Sequence, residues 1–166
     1  MSIMNVIRAR RSVRKYKSET VDDAVINEIL EAARWAPSGL NNQPWRFVVI
    51  KDKKFKEDLS RLTHYSSIIA SADFCIAVFY NHDSGYHRDK DLMSIGAAIE
   101  NMLLYSHDEG IGSVWLGEIL KNKDKVNELL SIDNRNEFVA LIAFGYPDEN
   151  PQGERKKMSE LILKVF

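Results

Sequence analysis

The sequence predicts an α+β layered fold. Phe74–Tyr80 and Phe138–Phe144 are apolar runs of strand length, rich in aromatic and β-branched residues. The stretch from about Asp91 to Glu109 repeats apolar residues at helical spacing through Leu92, Ile95, Ile99, Met102 and Leu103. Helical and strand-like segments follow one another without strict βαβ alternation, which disfavours a doubly wound parallel sheet. No repeat, linker or low-complexity stretch divides the 166 residues, so residues 1–166 are expected to form a single domain.

In order along the chain, Ser2–Ala9 places Ile3, Val6 and Ile7 on one helical face. A second helix begins near Val21, with Asp22 and Asp23 where the helix dipole favours acids. Its stripe is Ile26, Ile29, Leu30 and Ala33, and Pro37 and Gly39 stop it. Arg46–Ile50 reads as a strand and Lys53–Leu62 as a polar helix. Phe74–Tyr80 is a strand apolar enough to be covered on both faces. The polar stretch Asn81–Lys90 reads as a mobile loop before the long helix, which Gly110 ends. Gly96-Ala97-Ala98 gives that helix a small-residue patch for close approach. Ser113–Leu116 is a short strand, Lys123–Leu130 a helix, and Glu137–Phe144 a strand broken by Gly145-Tyr146-Pro147. The basic cluster Arg155-Lys156-Lys157 precedes an apolar tail, Leu161–Phe166.

Composition excludes several classes. With 23 Lys plus Arg against 24 Asp plus Glu, the net charge of −1 gives no general basic surface for nucleic acid. No apolar run approaches the ~20 residues of a membrane helix, and the arginine-rich start does not read as a signal peptide. A single cysteine, Cys75, allows neither an internal disulfide nor a CxxC pair. A cytoplasmic, reducing setting is therefore expected. His82, Asp83, His87 and Asp89 crowd one loop, but no register fixes them and no metal is expected.

Two segments carry candidate chemistry. Arg10-Arg11-Ser12-Val13-Arg14 packs three guanidiniums and a hydroxyl into five residues, a set suited to phosphate. In extended geometry Arg10, Ser12 and Arg14 would project to one side. The second segment, Ala36–Trp45, holds Asn41, Asn42 and Gln43 between two prolines. Amide side chains offer a donor and an acceptor together, as the edge of a planar heterocycle requires. Gly110-Ile111-Gly112-Ser113-Val114-Trp115 starts like a dinucleotide fingerprint, yet it follows a helix and lacks the third glycine.

Taken in order, these segments resemble the FMN-dependent nitroreductase family over nearly the whole chain. The resemblance rests on RRSVRKY (Arg10–Tyr16), EILEAARWAPSGLNNQPWRFVVI (Glu28–Ile50), Ala98–Leu104, Trp115-Leu116-Gly117, Phe144-Gly145-Tyr146-Pro147 and Arg155-Lys156. It implies a mostly antiparallel central β-sheet flanked by helices, in a homodimer that exchanges its C-terminal tails and holds FMN at the subunit interface. Arg10 and Ser12, with Arg155 or Lys156, would hold the phosphate. Arg11 would contribute mainly backbone. Arg14 would face the pyrimidine edge, and Leu116 and Gly117 would offer backbone amides near N5 and O4. Ser38, Gly39 and Asn41 would reach the flavin from the other subunit. The implied reaction is ping-pong: NAD(P)H gives a hydride to flavin N5, and a nitroaromatic, quinone or similar planar acceptor then takes its place. No protein residue need be catalytic, since the cofactor carries the chemistry while Arg14 and Gly117 tune it. Other flavin chemistry on the same fold, such as reductive dehalogenation or flavin cleavage, and a flavin-binding carrier or sensor, are the alternatives. Residues 55–73 and 81–90 match no motif of the family.

Overall fold

A computed structural model describes residues 2–166. Helix α1 spans Ile3–Ala9 with Ser2 at its start. Of its apolar face only Val6 is buried, while Ile3 is 74% and Ile7 45% exposed, so this chain alone does not cover the stripe. Helix α2 is Asp23–Arg34, and the Asp22 side chain accepts from the Ala24 N–H at its first turn. It closes at Trp35, just ahead of Pro37. Strand β1 is Trp45–Ile50, and helix α3 is Lys53–Ser60, capped by Asp52.

A short helix α4, Ser66–Ser71, follows where the sequence carries no readable pattern. Six residues are too few to display a period, and Ile68 and Ile69 are its only buried residues. The buried Lys56 ammonium donates to the Ala72 and Asp73 carbonyls at 2.6 and 2.7 Å, tying α3 to the turn that enters strand β2, Phe74–Asn81. Helix α5 runs Arg88–Asp108, starting earlier than the sequence suggests, so residues 88–90 are helix and not loop. Strand β3 is Gly112–Leu116, helix α6 Lys123–Leu129 and strand β4 Asn136–Gly145. A last turn, α7, covers Met158–Leu161.

The four strands form one sheet in the order β1-β2-β4-β3, with every pairing antiparallel. Every residue of β2 is buried. Strand periodicity then splits it between two cores. Phe74, Ile76, Val78 and Tyr80 join α2 and α5 on one face. Cys75, Ala77 and Phe79 join residues of α3, α4 and α6 on the other. Phe74 stacks on Phe144 at 4.8 Å across β2 and β4. The Cys75 thiol is wholly buried, and burial pushes its pKa up to about 12 against the opposing pull of Lys56. Asn101 donates to the Ala32 carbonyl at 3.0 Å and so fastens α5 to α2.

Candidate functional site

The Arg10–Tyr16 segment lies along the free edge of β3. Ser12 bridges Ser113 in parallel sense, and the Val13 N–H donates to the Ser113 carbonyl at 3.0 Å. The opposite flank is stitched to the chain after β4. Tyr16 bridges Pro147, the Asp148 N–H donates to the Lys15 carbonyl, and the Arg14 N–H donates to Glu149 Oε1 at 2.5 Å. The buried Tyr16 hydroxyl donates toward the Val13 and Ala143 carbonyls, and burial raises its pKa well above the ordinary phenol value. Gly112 lets the segment approach this closely: a Cβ there would come within 2.8 Å of Val13 Cγ1.

Ser12 is level with Ser113. From there the segment keeps to the end of the sheet where β3 starts: Val13 lies against Gly112, the Arg14 N–H bonds Glu149, and Tyr16 lies against Gly145 and Pro147. Beyond Leu116, Gly117 faces open space. The turn after it is fixed by Glu118, which accepts from the Thr63 hydroxyl at 2.5 Å and pairs with Lys121. Hydrogen bonds from Lys121 and Thr63 hold the Glu118 carboxyl down to about 2.

The arginines have distinct surroundings. Arg10 meets Glu100 of α5 through its Nε edge at 3.5 Å. Arg11 donates from Nη1 to the Arg8 and Arg10 carbonyls and from Nη2 to the Gly153 carbonyl. It thus anchors the 151–153 stretch through its side chain as well as supplying backbone to the segment. A Cβ on Gly153 would lie 3.7 Å from Arg11 Nε and 3.9 Å from Arg155 Nη1, which places Arg155 beside this cluster. Lys156 is exposed on the same stretch. Arg14 is exposed, and its Nη1 donates to the Ser12 carbonyl. Behind the segment, Arg11 and His107 border a pocket of about 170 Å³. Burial and the nearby Arg10 charge lower the His107 pKa.

The amide loop is built differently. Its backbone holds three non-glycine residues in the left-handed region, Leu40, Asn41 and Gln43, at φ 56°, 54° and 48°. Such conformations persist where surroundings over-determine them. Ser38 Oγ accepts the Gln43 N–H at 3.0 Å, and Gln43 Nε2 donates to the Asn41 carbonyl and side chain. Asn42 donates to the Ser84 carbonyl and to Asp91. Gly39 lies against the Tyr86 ring. Asn81–His87, expected to be mobile, is therefore tied to this loop. Glu149, Tyr86 and Asp91 are the site residues the sequence reading omits. Each acts on a residue 47 or more positions away in the chain, or on a backbone N–H, and neither relation leaves a local motif.

The structure gathers Arg11, Ser12 and Arg155 beside the start of β3, with Arg10 and Arg14 on the same segment, and holds Leu116 and Gly117 at the far end of that strand. It anchors Ser38, Gly39 and Asn41 near the start of α5. His107, beside Arg11, is 16 residues along that helix from Asp91, about 24 Å at the α-helical rise.

The family model for the Nitroreductase family matches residues 7–66 and 56–146. A solved structure of a nitroreductase from Desulfovibrio desulfuricans, in complex with FMN, superposes with a TM-score of 0.96 at 41% identity, covering 99% of this chain and 97% of that one. YfhC of Bacillus subtilis, named as an NAD(P)H nitroreductase, is 32% identical over 93% of this chain and 89% of its own length. An iodotyrosine deiodinase of Hydra vulgaris is 29% identical over 95% of this chain and 71% of its own length.

Proposed function

The chain belongs to the nitroreductase family, and from that premise we propose that it is an NAD(P)H-dependent FMN oxidoreductase acting on planar acceptors. The observation that carries this reading is the arginine-rich segment bridged to β3 at Ser12–Ser113, with Arg155 beside it. That gathers basic and hydroxyl donors for a phosphate. From Ser113, β3 leads over about 13 Å to Leu116 and Gly117, where a ring could lie. The residues fit FMN on chemical grounds. A phosphate needs guanidinium or hydroxyl donors, which Arg10, Ser12 and Arg155 supply, with Lys156 on the same stretch. Arg10 meets the Glu100 carboxylate at 3.5 Å, an ion pair and not a close hydrogen bond. A ring must approach backbone closely, and Gly117 presents backbone to open space.

When bound, FMN supplies the hydride relay between nicotinamide and acceptor. The protein's own residues bind and orient it. Arg10 and Ser12 would hold the phosphate, Arg14 would set a positive charge near the pyrimidine part of the ring, and Leu116 and Gly117 would offer it backbone. Ser38, Gly39 and Asn41 would reach the ring from the second subunit. The separation of Arg11, beside His107, from the amide loop, held by Asp91, supports that assignment, since the two lie toward opposite ends of α5.

The tail supports a homodimer. Leu163 and Phe166 are fully exposed, and Leu161, Ile162 and Val165 are more than half or nearly half exposed. β1 is an edge strand of the sheet, flanked by a groove of about 550 Å³ lined by Val48, Val49, Ile50, Phe55 and Leu130. An unpaired edge accepts a further strand. The partner's tail is the apolar extended segment suited to it, and the exchange is reciprocal in a two-fold pair. No helix among the described residues is long and apolar enough to cross a membrane.

The purified protein is expected to be yellow, to release FMN on denaturation and to bleach anaerobically with NADPH or NADH. A colourless protein indifferent to added FMN would overturn the reading. A second reading, reductive dehalogenation, draws on the deiodinase relative. Product analysis with a nitroaromatic and with iodotyrosine separates the two.

Gly112→Ala tests the segment's seat. Its new methyl would collide with Val13 Cβ and Cγ1, at 2.9 and 2.8 Å. The expected cost is about 1–3 kcal/mol of stability. Because Ser12 moves with Val13, FMN affinity should fall about tenfold or more. Adding Val13→Gly, which removes every atom the methyl would meet, should recover part of the affinity. Thermal denaturation and flavin-fluorescence titration read both.

A further inference from the structure

Asp91, in the first turn of α5, is completely buried. Its Oδ1 accepts from Asn42 Nδ2 at 2.7 Å. Its Oδ2 accepts from the Tyr86 and His87 N–H groups at 2.9 and 3.0 Å and from the Tyr80 hydroxyl at 3.3 Å. Burial alone raises a carboxyl pKa, but here the hydrogen bonds outweigh it and hold Asp91 below the usual carboxylate range. An acid that served only the helix dipole could do so from the surface. Burying one is costly unless its lone pairs are filled, as these are.

The partners come from three places. Asn42 belongs to the amide loop, Tyr86 and His87 to the turn before α5, and Tyr80 to β2. Further bonds bind the same groups together. Asn42 Nδ2 also donates to the Ser84 carbonyl at 2.9 Å, and Arg46 Nη2 donates to Ser84 Oγ at 2.8 Å. The Tyr86 ring rests on Gly39 so closely that a Cβ there would lie 2.2 Å from its hydroxyl. Lys90 stands 5.5 Å from the centre of the same ring. One buried carboxylate thus joins a loop in left-handed conformations to a half-exposed aromatic side chain.

We propose that Asp91 is a positioning residue of the flavin site: it fixes the amide loop and the Tyr86 turn as one wall, and that wall sets how an acceptor enters over the ring. This rests on the reading of Ser38, Gly39 and Asn41 as flavin-lining residues. Asp91 touches neither flavin nor acceptor. It acts through Asn42 on one side and through the Tyr86 backbone on the other.

Asp91→Asn is the direct test. The amide turned toward Asn42 sets donor against donor, while its oxygen still serves the Tyr86 and His87 N–H groups. FMN affinity should fall about tenfold, and the acceptor KM should rise about tenfold. The rate at which NADPH reduces flavin-saturated protein should change less than about threefold. The exchange pair Asn42→Asp with Asp91→Asn restores one donor facing one acceptor, and should recover most of both losses. Amide hydrogen exchange, measured without FMN, should speed up together at 38–43 and 84–87 in the single variant. Should Asp91→Asn not fold, Asn42→Ala cuts the same link from the surface side and should give the same rise in KM.

A folded Asp91→Asn protein with wild-type FMN affinity and acceptor KM would overturn the proposal. So would an exchange pair no better than the single variant, or exchange that quickens in only one of the two segments. Wild-type protein that ignores FMN would instead sink the flavin reading on which the proposal stands. The wild-type titration therefore separates the two failures.

Discussion

Deleting residues 161–166 should turn the protein into a monomer at working concentrations and release its flavin in the same step. The deleted side chains are among the most exposed apolar groups of the chain, with Leu163 and Phe166 fully open to solvent. Burying a large apolar side chain is worth about 1.5–3 kcal/mol, and ordering each residue costs about 1–2. A net loss of about 3 kcal/mol corresponds to a rise in dimer Kd of more than a hundredfold. Because each flavin site would draw Ser38, Gly39 and Asn41 from the second chain, dissociation and FMN loss should follow one curve. Light scattering and flavin fluorescence over a dilution series measure both. A stable monomer that keeps its flavin would refute tail exchange and the shared site together. Polar substitutions at Val48 and Phe55, in the groove beside β1, should reproduce a milder form of the same defect.

Arg14→Ala should slow flavin reduction about a hundredfold while changing FMN affinity far less. The guanidinium is held by the extended segment, with its backbone N–H on Glu149 and its Nη1 on the Ser12 carbonyl. A charge at the ring's pyrimidine edge interacts more strongly with the reduced than with the oxidised flavin. An interaction that grows along the reaction lowers its barrier, and removing one such electrostatic contact costs about 10²–10³ in rate. Stopped-flow absorbance with NADPH, set beside an FMN titration, separates rate from affinity. Arg14→Lys should recover part of the rate, because the charge survives. Lost affinity with an unchanged reduction rate would make Arg14 a phosphate or structural contact.

The legible parts of this chain were those whose periodicity belongs to one element. β2 declares itself because all its residues are buried, and α5 because its stripe from Leu92 to Leu103 repeats over about three turns. The arginine segment was legible because three guanidiniums within five residues are a chemical statement in themselves. α4 was hidden by its length. The Asn81–Lys90 stretch looked mobile because its restraints are not local. They come from Asp91, from Asn42 and from the turn into α5, and a polar sequence does not show which polar groups find one another. Asp91 itself reads as an ordinary first-turn acid until its burial is seen. For the same reason, Ile3 and Ile7 read as a core stripe but stay exposed, since a pattern shows which face wants cover and not what covers it.

The position of Cys75 makes the molecule self-reporting. The only thiol sits in the central strand pair, sealed in the core under α3, α4 and α6 and raised far from thiolate character. A maleimide or disulfide reagent has nothing to modify until β2 separates from its neighbours, an opening close to global unfolding. Labelling kinetics therefore count whole-molecule openings without an engineered probe. Any compound that favours the folded form slows them in proportion to its occupancy, which provides a measure of ligand binding that needs neither colour nor turnover.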